Sequence, residues 1–109
     1  MKDYITLEDF KRVEVGHGVY YLSMQTDDYE ITLEPHFTAG FTIGVYHKDD
    51  PLLSVQKRAV WKFNHPTNKP RENIQQELIN RAMEIAQYFY TYYVLRQREA
   101  VPPWLNRSR

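Results

Sequence analysis

The chain has 109 residues, 42% of them hydrophobic, which is enough for one hydrophobic core, so we treat residues 1–109 as a single domain. It contains no cysteine, which excludes disulfides, thiolate metal sites and a cysteine nucleophile and favours a reducing, cytoplasmic compartment. No segment has the form of a signal peptide and no apolar run has the length of a membrane span, so we expect no membrane partner.

The formal net charge is zero, but the charges are unevenly distributed. Residues 1–50 hold 4 Lys and Arg against 10 Asp and Glu, a balance of −6, and residues 51–109 hold 10 against 4, a balance of +6. The two halves either attract each other within the fold or present a basic surface to an acidic partner. We favour the first interpretation, because the strands and the helix predicted below must pack together.

The N-terminal residues predict a short helix. The stretch Thr6 to Asp9 has the form of a capping box, and Ile5 can pack on Phe10 as a hydrophobic staple. The apolar residues that share one face of this predicted helix are Leu7, Phe10 and Val13. Gly16-His17-Gly18 is expected to end it, since glycine accepts the positive φ of a helix terminus.

From Val19 onward the apolar residues recur at every second position, which predicts β-strands. Four strands are expected, over residues 19–25, 29–34, 41–46 and 54–63. Pro35 should end the second strand or place it at an edge, and Lys57 alone interrupts the alternation of the fourth. The short connections predict an antiparallel meander with one buried face.

The strongest helix signal runs from Pro70 to Ala100. Proline is suited to the first turn of a helix, and Pro102-Pro103 prevents continuation beyond the far end. The predicted core face consists of Leu78, Ala82, Ile85, Ala86, Phe89 and Tyr93. We therefore predict a two-layer α+β domain in the order α-β-β-β-β-α, in which a four-stranded antiparallel meander is covered by this long C-terminal helix and accompanied by the short N-terminal one.

The C-terminal half of the long helix is apolar over most of its circumference. Five aromatic rings fall within the six residues from Tyr88 to Tyr93, and about 30 residues at 1.5 Å each make a rod of about 45 Å. Such an end either projects toward a partner or is covered by the rest of the chain, and both alternatives remain open. We expect Trp104 to fold back onto the patch around Tyr88 and Leu95, and residues 106–109 to be frayed.

No motif in the sequence predicts catalysis, a cofactor or a metal site. The four histidines fall in predicted loops or at strand ends, without metal-ligand spacing; they are His17, His36, His47 and His65. The four glycines form no phosphate-binding loop, and no serine has the flanking glycines of a nucleophile elbow. We therefore expect a protein that is not an enzyme.

The predicted function is macromolecular binding through the tyrosine-rich half of the long helix, with a second copy of the chain as the first expected partner. The predicted interface residues are Tyr88, Tyr90, Tyr92, Leu95 and Trp104. In type, a small cysteine-free domain without catalytic motifs is similar to accessory proteins of phages and plasmids, including inhibitors. The alternative is nucleic-acid binding through a basic patch on the fourth strand and at the start of the long helix, formed by Arg58, Lys62, Lys69 and Arg71.

Overall fold

The computed structural model describes residues 2–36, 40–60 and 71–107. Within these ranges the chain forms a short 3-10 turn, five β-strands, a long helix and a second 3-10 turn. Their bounds are Leu7–Asp9 for the first turn, Lys11–Gly16 (β1), Val19–Gln25 (β2), Tyr29–His36 (β3), Gly40–His47 (β4), Ser54–Val60 (β5), Arg71–Phe89 (α1) and Pro103–Arg107 for the last turn. A π-helical turn, Tyr90–Val94, continues α1 without a break.

The five strands form one antiparallel sheet in the order β1-β2-β3-β4-β5. One face of the sheet is covered by α1, which contacts β3, β4 and β5. The predicted α+β class, the antiparallel meander and the covering helix are therefore confirmed. The sheet has five strands where four were expected, because the predicted N-terminal helix is mostly a strand.

The N-terminal helix is the element that the sequence pattern misassigned. Only Leu7–Asp9 is helical, as a single 3-10 turn in which the Asp9 carboxylate accepts a hydrogen bond of 2.7 Å from the Thr6 amide. Val13 instead lies in β1 and pairs with Tyr21 of β2. Gly16, His17 and Gly18 all have positive φ and form the hairpin turn between β1 and β2, so they reverse a strand and do not end a helix.

The core lies between the central strands and α1. Cross-strand pairs on the covered face join Ile31 to Val45 and Leu33 to Ile43, and each of these side chains is at most 1% exposed. The helix contributes its small and large apolar residues to the same cluster, namely Ala82, Ile85, Ala86 and Phe89. Burial of each large aliphatic side chain contributes about 1.5–3 kcal/mol to the stability of the folded state. The position of α1 on the sheet is therefore set by its packing on these strands.

Pro35 lies inside β3, the central strand of the sheet. It pairs with Phe41 of β4, whereas the pairing of β3 with β2 stops at Leu33 opposite Leu22. A proline cannot donate a backbone hydrogen bond, so it is tolerated where one side of its strand has no ladder. The sequence predicted that Pro35 either ends its strand or lies at an edge. In the structure β3 continues past Pro35, but its side toward β2 is unpaired there, so Pro35 lies at a local edge.

The long helix ends before the predicted limit of Ala100. The Leu95 amide donates to the Tyr90 carbonyl oxygen at 2.9 Å, and the Gln97 amide donates to that of Thr91 at 3.0 Å, so the last turn is wider than an α-turn. Arg96 then adopts φ 61°, a left-handed conformation that ends the helix. The continuous helical segment of residues 71–94 is roughly 35 Å long, shorter than the predicted rod.

Candidate binding surface

The C-terminal residues fold back onto the aromatic end of the helix. The ring of Trp104 lies edge-on to that of Tyr88, with 5.3 Å between the ring centroids, and 6.3 Å from the ring of Phe89. Tyr88 also lies 5.4 Å from Tyr92, one helical turn further on. These four residues form the aromatic cluster, in which the Trp104 ring packs against the C-terminal end of the helix.

Two cations pack against this cluster from outside. The Cζ atom of Arg98 lies 4.5 Å from the centroid of the Tyr92 ring and 5.6 Å from that of Tyr93. The Nζ atom of Lys57, on the edge strand β5, lies 4.6 Å from the centroid of the Trp104 ring. Cation–π contacts of this kind hold the returning tail to both the helix and the sheet edge.

Tyr90 points to the opposite side of the helix, under the N-terminal segment. It is 4% exposed, and its hydroxyl donates a hydrogen bond to the Lys2 carbonyl oxygen at 2.5 Å. Burial raises the pKa of Tyr90 above its ordinary value, and burial likewise raises the pKa of Tyr88 and of Tyr93. These three phenols therefore stay neutral throughout the physiological range.

Gln87 holds the N-terminal segment to the same side of the helix. Its Oε1 atom accepts a hydrogen bond of 2.9 Å from the Ile5 amide, and its Nε2 atom donates one of 2.9 Å to the Asp3 carbonyl oxygen. Gln87 is not one of the predicted core-face residues of the helix, and its amide group is nevertheless half-buried under the N-terminal segment. The structure shows why a glutamine is suited to this position, since one amide group satisfies both a backbone donor and a backbone acceptor.

A groove of about 680 Å³ runs between α1 and the returning tail. Its lining residues come from the outer side of the helix and from the segment before Trp104; they are Asn80, Met83, Glu84, Gln87, Tyr88, Thr91, Ala100, Val101 and Pro103. We call it the helix–tail groove. Val101 on its border is 61% exposed, and Leu105, on the same 3-10 turn as Pro103, is 58% exposed.

The predicted interface residues are distributed over three environments. Tyr88 is half-buried and lines the helix–tail groove, while Tyr92, Leu95 and Trp104 are half-buried against the aromatic cluster or the core. Tyr90 is covered by the protein's own N-terminal segment. The structure therefore brings Tyr88, Tyr92 and Trp104 together, and it separates Tyr90 from them.

Several residues of the groove were absent from the sequence prediction. Met83 belongs to the first half of the helix, and Val101 and Pro103 come after its predicted end. The available signal was the apolar composition of the tail around Trp104, which predicted that the tail returns but not that it leaves a groove. A groove is a property of two packed segments, so neither segment shows it alone.

The basic residues of the nucleic-acid alternative are only partly within the described ranges. Lys62 and Lys69 lie outside them. The backbone register places Arg58 of β5 opposite Thr42 of β4, and Arg71 is the first residue of α1. The basic patch stays a prediction.

His47 has a structural role in its turn. Its Nδ1 atom accepts hydrogen bonds of 3.1 Å from the amides of both Asp49 and Asp50, and its ring meets Tyr29 edge-on at 4.9 Å. His17 forms part of the β1–β2 turn with φ 54°, and His65 lies outside the described residues. In the described part of the chain no group of three or more potential ligands could hold a metal ion. Among the described residues there is also no helix that is both long enough and apolar enough to cross a membrane.

Comparison with known proteins gave no match: no family model, no curated protein and no solved structure is similar to this chain.

Proposed function

We propose that this chain is a small, non-enzymatic interaction protein that binds another protein through the helix–tail groove and its apolar border, and that its first partner is a second copy of itself. The observation that supports the proposal is the position of two exposed side chains, Val101 and Leu105, beside a groove that contains Met83 and the edge of Tyr88. Nucleic-acid binding through Arg58, Lys62, Lys69 and Arg71 is the alternative.

A two-fold dimer requires a surface that is complementary to itself, because the same patch of each subunit meets its equivalent. A groove and protruding apolar residues on one patch satisfy this requirement. Val101 and Leu105 of one copy would enter the groove of the other, and the exchange would occur twice. The apolar side chains that are exposed in one chain would then be removed from water.

Tyr88 is suited to the centre of such a contact. Its ring already packs on Trp104, so it is held in place before a partner arrives, and little side-chain entropy remains to be lost on binding. Tyrosine also combines an apolar ring with a polar hydroxyl, which favours it at surfaces that alternate between water and a partner. Lys57 and Arg98 fix the neighbouring rings from outside.

Sedimentation equilibrium over a range of protein concentrations tests the proposal. The wild type should show a reversible monomer–dimer equilibrium, and the variant Val101→Glu/Leu105→Glu should be monomeric at the same concentrations. The matched control is Val15→Glu/Leu52→Glu, which places the same charges at positions that are 60% and 89% exposed, in β1 and in the turn between β4 and β5. It should dimerise like the wild type.

A monomeric wild type at all concentrations would contradict self-association. Equal loss of dimer in both double variants would show that added charge, and not this surface, controls assembly. Retention on heparin that falls steeply with salt and is lost in Arg58→Glu/Lys62→Glu would instead support the nucleic-acid alternative.

A further inference from the structure

The face of the sheet that points away from α1 contains a second concave surface. It is about 300 Å³ in volume and is lined by Tyr21, Glu30, Thr32, Glu34 and Tyr46. We call it the open-face pocket. Because α1 and the aromatic cluster lie on the opposite face, this pocket is separate from the helix–tail groove.

The position of Tyr46, one of the lining residues, depends on a missing side chain beneath its ring. Gly44 lies opposite Thr32 in the ladder between β3 and β4, and a Cβ atom at Gly44 would lie only 2.5–2.7 Å from the hydroxyl oxygen and two ring atoms of Tyr46. The Tyr46 side chain thus lies along the sheet over the glycine. Its hydroxyl accepts a hydrogen bond of 2.6 Å from Gln56 Nε2, which holds the ring in that position.

One carboxylate of the pocket is fixed by neighbours on the next strand. The Oε2 atom of Glu30 accepts hydrogen bonds from Ser23 Oγ at 2.7 Å and from Gln25 Nε2 at 3.0 Å. Ser23 is only 5% exposed, so the network is anchored in the sheet surface. The backbone register pairs Glu30 with Tyr46, so a fixed carboxylate lies beside a fixed aromatic ring.

The charge within the pocket restricts the class of ligand. The described residues that line it include Glu30 and Glu34 and no Lys or Arg. In the described strands, the two cationic residues of this face lie on the outer strands, where the register places Lys11 opposite Ser23 and Arg58 opposite Thr42. Carboxylates repel phosphates, which disfavours a nucleic acid in this pocket, and the half-buried carboxylate of Glu30 disfavours a purely apolar ligand. Tyrosine rings next to carboxylates are the combination that attracts an organic cation, through cation–π and charge-assisted hydrogen bonds.

We infer that the open-face pocket binds a cationic side chain, an arginine or a lysine, presented by a basic peptide segment of a partner protein. The apolar stem of such a side chain would lie on Tyr21 and Tyr46, and its charged end would lie between Glu30 and Glu34. A guanidinium group, with five donors in one plane, is better suited to two carboxylates than an ammonium group. Arginine is therefore the preferred residue.

A titration followed by amide chemical shifts tests this inference. The probe is the blocked peptide acetyl-Gly-Arg-Gly-Arg-Gly-amide, and its matched control replaces both arginines with citrulline, which keeps the shape and removes the charge. The arginine peptide should shift the amides of Thr32, Gly44 and Tyr46, and the citrulline peptide should not. The variant Glu30→Gln/Glu34→Gln, which retains hydrogen-bonding groups, should bind at least tenfold more weakly.

The control variant Glu8→Gln/Glu99→Gln removes the same charge from two exposed positions elsewhere, and it should bind the peptide like the wild type. Equal weakening in both double variants would overturn the inference, because it would show attraction by net charge alone. The absence of shifts at Thr32, Gly44 and Tyr46 would overturn it as well. If methylguanidinium binds as tightly as the peptide, the ligand is a free small cation, and the proposal of a peptide ligand is overturned. The variant Val101→Glu/Leu105→Glu, which should abolish the dimer, should leave peptide binding unchanged. Failure of the proposed dimer and failure of the proposed peptide site can therefore be distinguished.

Discussion

The Lys57 Nζ atom lies 4.6 Å from the centroid of the Trp104 ring, which joins the edge strand β5 to the C-terminal tail. Lys57 pairs with Ile43 in the backbone register and so belongs to the covered face of the sheet. Its side chain is exposed at the sheet edge, where its ammonium group meets the Trp104 ring of the tail. The single break in the apolar alternation of β5 is thus the position where the sheet meets Trp104.

Replacement of Lys57 tests this contact. Lys57→Met keeps the apolar stem but removes the cation, so we expect the free energy of unfolding to fall by about 0.5–1 kcal/mol, the value of an exposed cation–π pair. Lys57→Arg keeps the cation and should remain close to the wild type. Urea unfolding of the three proteins provides the measurement, and equal stability of the methionine and arginine variants would contradict a cation–π role.

Gln87 is predicted to hold the N-terminal segment on the helix. Gln87→Ala removes two hydrogen bonds to the backbone, so we expect a loss of about 1–2 kcal/mol in the free energy of unfolding and faster hydrogen exchange at the Ile5 amide. The control is Gln76→Ala at an exposed position of the same helix, which removes the hydrogen bond from Gln76 to Asn80 and no contact with the N-terminal segment that the structure describes. If exchange at Ile5 is the same in both variants, Gln87 does not hold the segment.

Gly44→Ala should displace Tyr46. The added methyl group would lie within 2.5–2.7 Å of the far end of the tyrosine, which can swing outward at the loss of its hydrogen bond with Gln56, a cost of about 1 kcal/mol. In a Tyr46→Ala background the same substitution should be neutral or stabilising, because alanine is favoured over glycine in a strand. A double-mutant cycle by thermal unfolding measures the coupling, and an additive cycle would show that the two residues do not share the space.

The buried tyrosines predict a loss of stability in alkali. Burial raises the pKa of Tyr88, Tyr90 and Tyr93 in the folded state, so above about pH 10 the unfolded chain loses these protons first. The free energy of unfolding should then fall as the pH rises from about 10 toward the raised pKa values, and should be unaffected by these groups below that range. Stability measured by urea unfolding at each pH, with the ultraviolet absorbance of tyrosinate as a second signal, checks this. No fall in stability above about pH 10 would contradict the assignment.

The parts of the fold that the sequence predicted are those with a long, regular pattern. The alternation in β2, β3 and β4 gave both the strands and their covered face, since Ile31, Leu33, Ile43 and Val45 are all in the core. The spacing of Leu78, Ala82, Ile85 and Phe89 likewise gave the covered side of α1. In these elements burial and periodicity point to the same assignment.

The wrong secondary-structure predictions fall in two kinds of segment. In one kind the sequence fits both a helix and a strand, and in the other the conformation depends on tertiary contacts. Leu7, Phe10 and Val13 have helical spacing, but Val13 and Val15 also alternate with charged residues, and pairing with β2 favours the strand. Arg96 ends the helix in a left-handed conformation without a glycine or asparagine to indicate it. That early end is what allows the tail to return to Tyr88.

The candidate surfaces were less predictable than the fold. The sequence predicted that Trp104 returns to the patch around Tyr88 and Leu95, because an apolar tail is expected to cover an apolar helix end. In the structure the Trp104 ring lies 5.3 Å from that of Tyr88, and Tyr92 packs on Tyr88 from the next turn. The open-face pocket was not expected, because Tyr21, Glu30 and Tyr46 are on the outer side of their strands and each looks like an ordinary exposed residue. The strand register places Glu30 opposite Tyr46 and next to the pair of Thr32 and Gly44, and Tyr21 completes the lining from β2.

The dimer through the helix–tail groove is tested most directly by isotope-filtered nuclear Overhauser spectroscopy on a mixed sample of ¹³C-labelled and unlabelled protein. The account predicts contacts between chains from the methyl groups of Val101 and Leu105 to the side chains of Met83 and Tyr88. Contacts between chains that involve β1 or another surface, or none at concentrations where the protein sediments as a dimer, would contradict it.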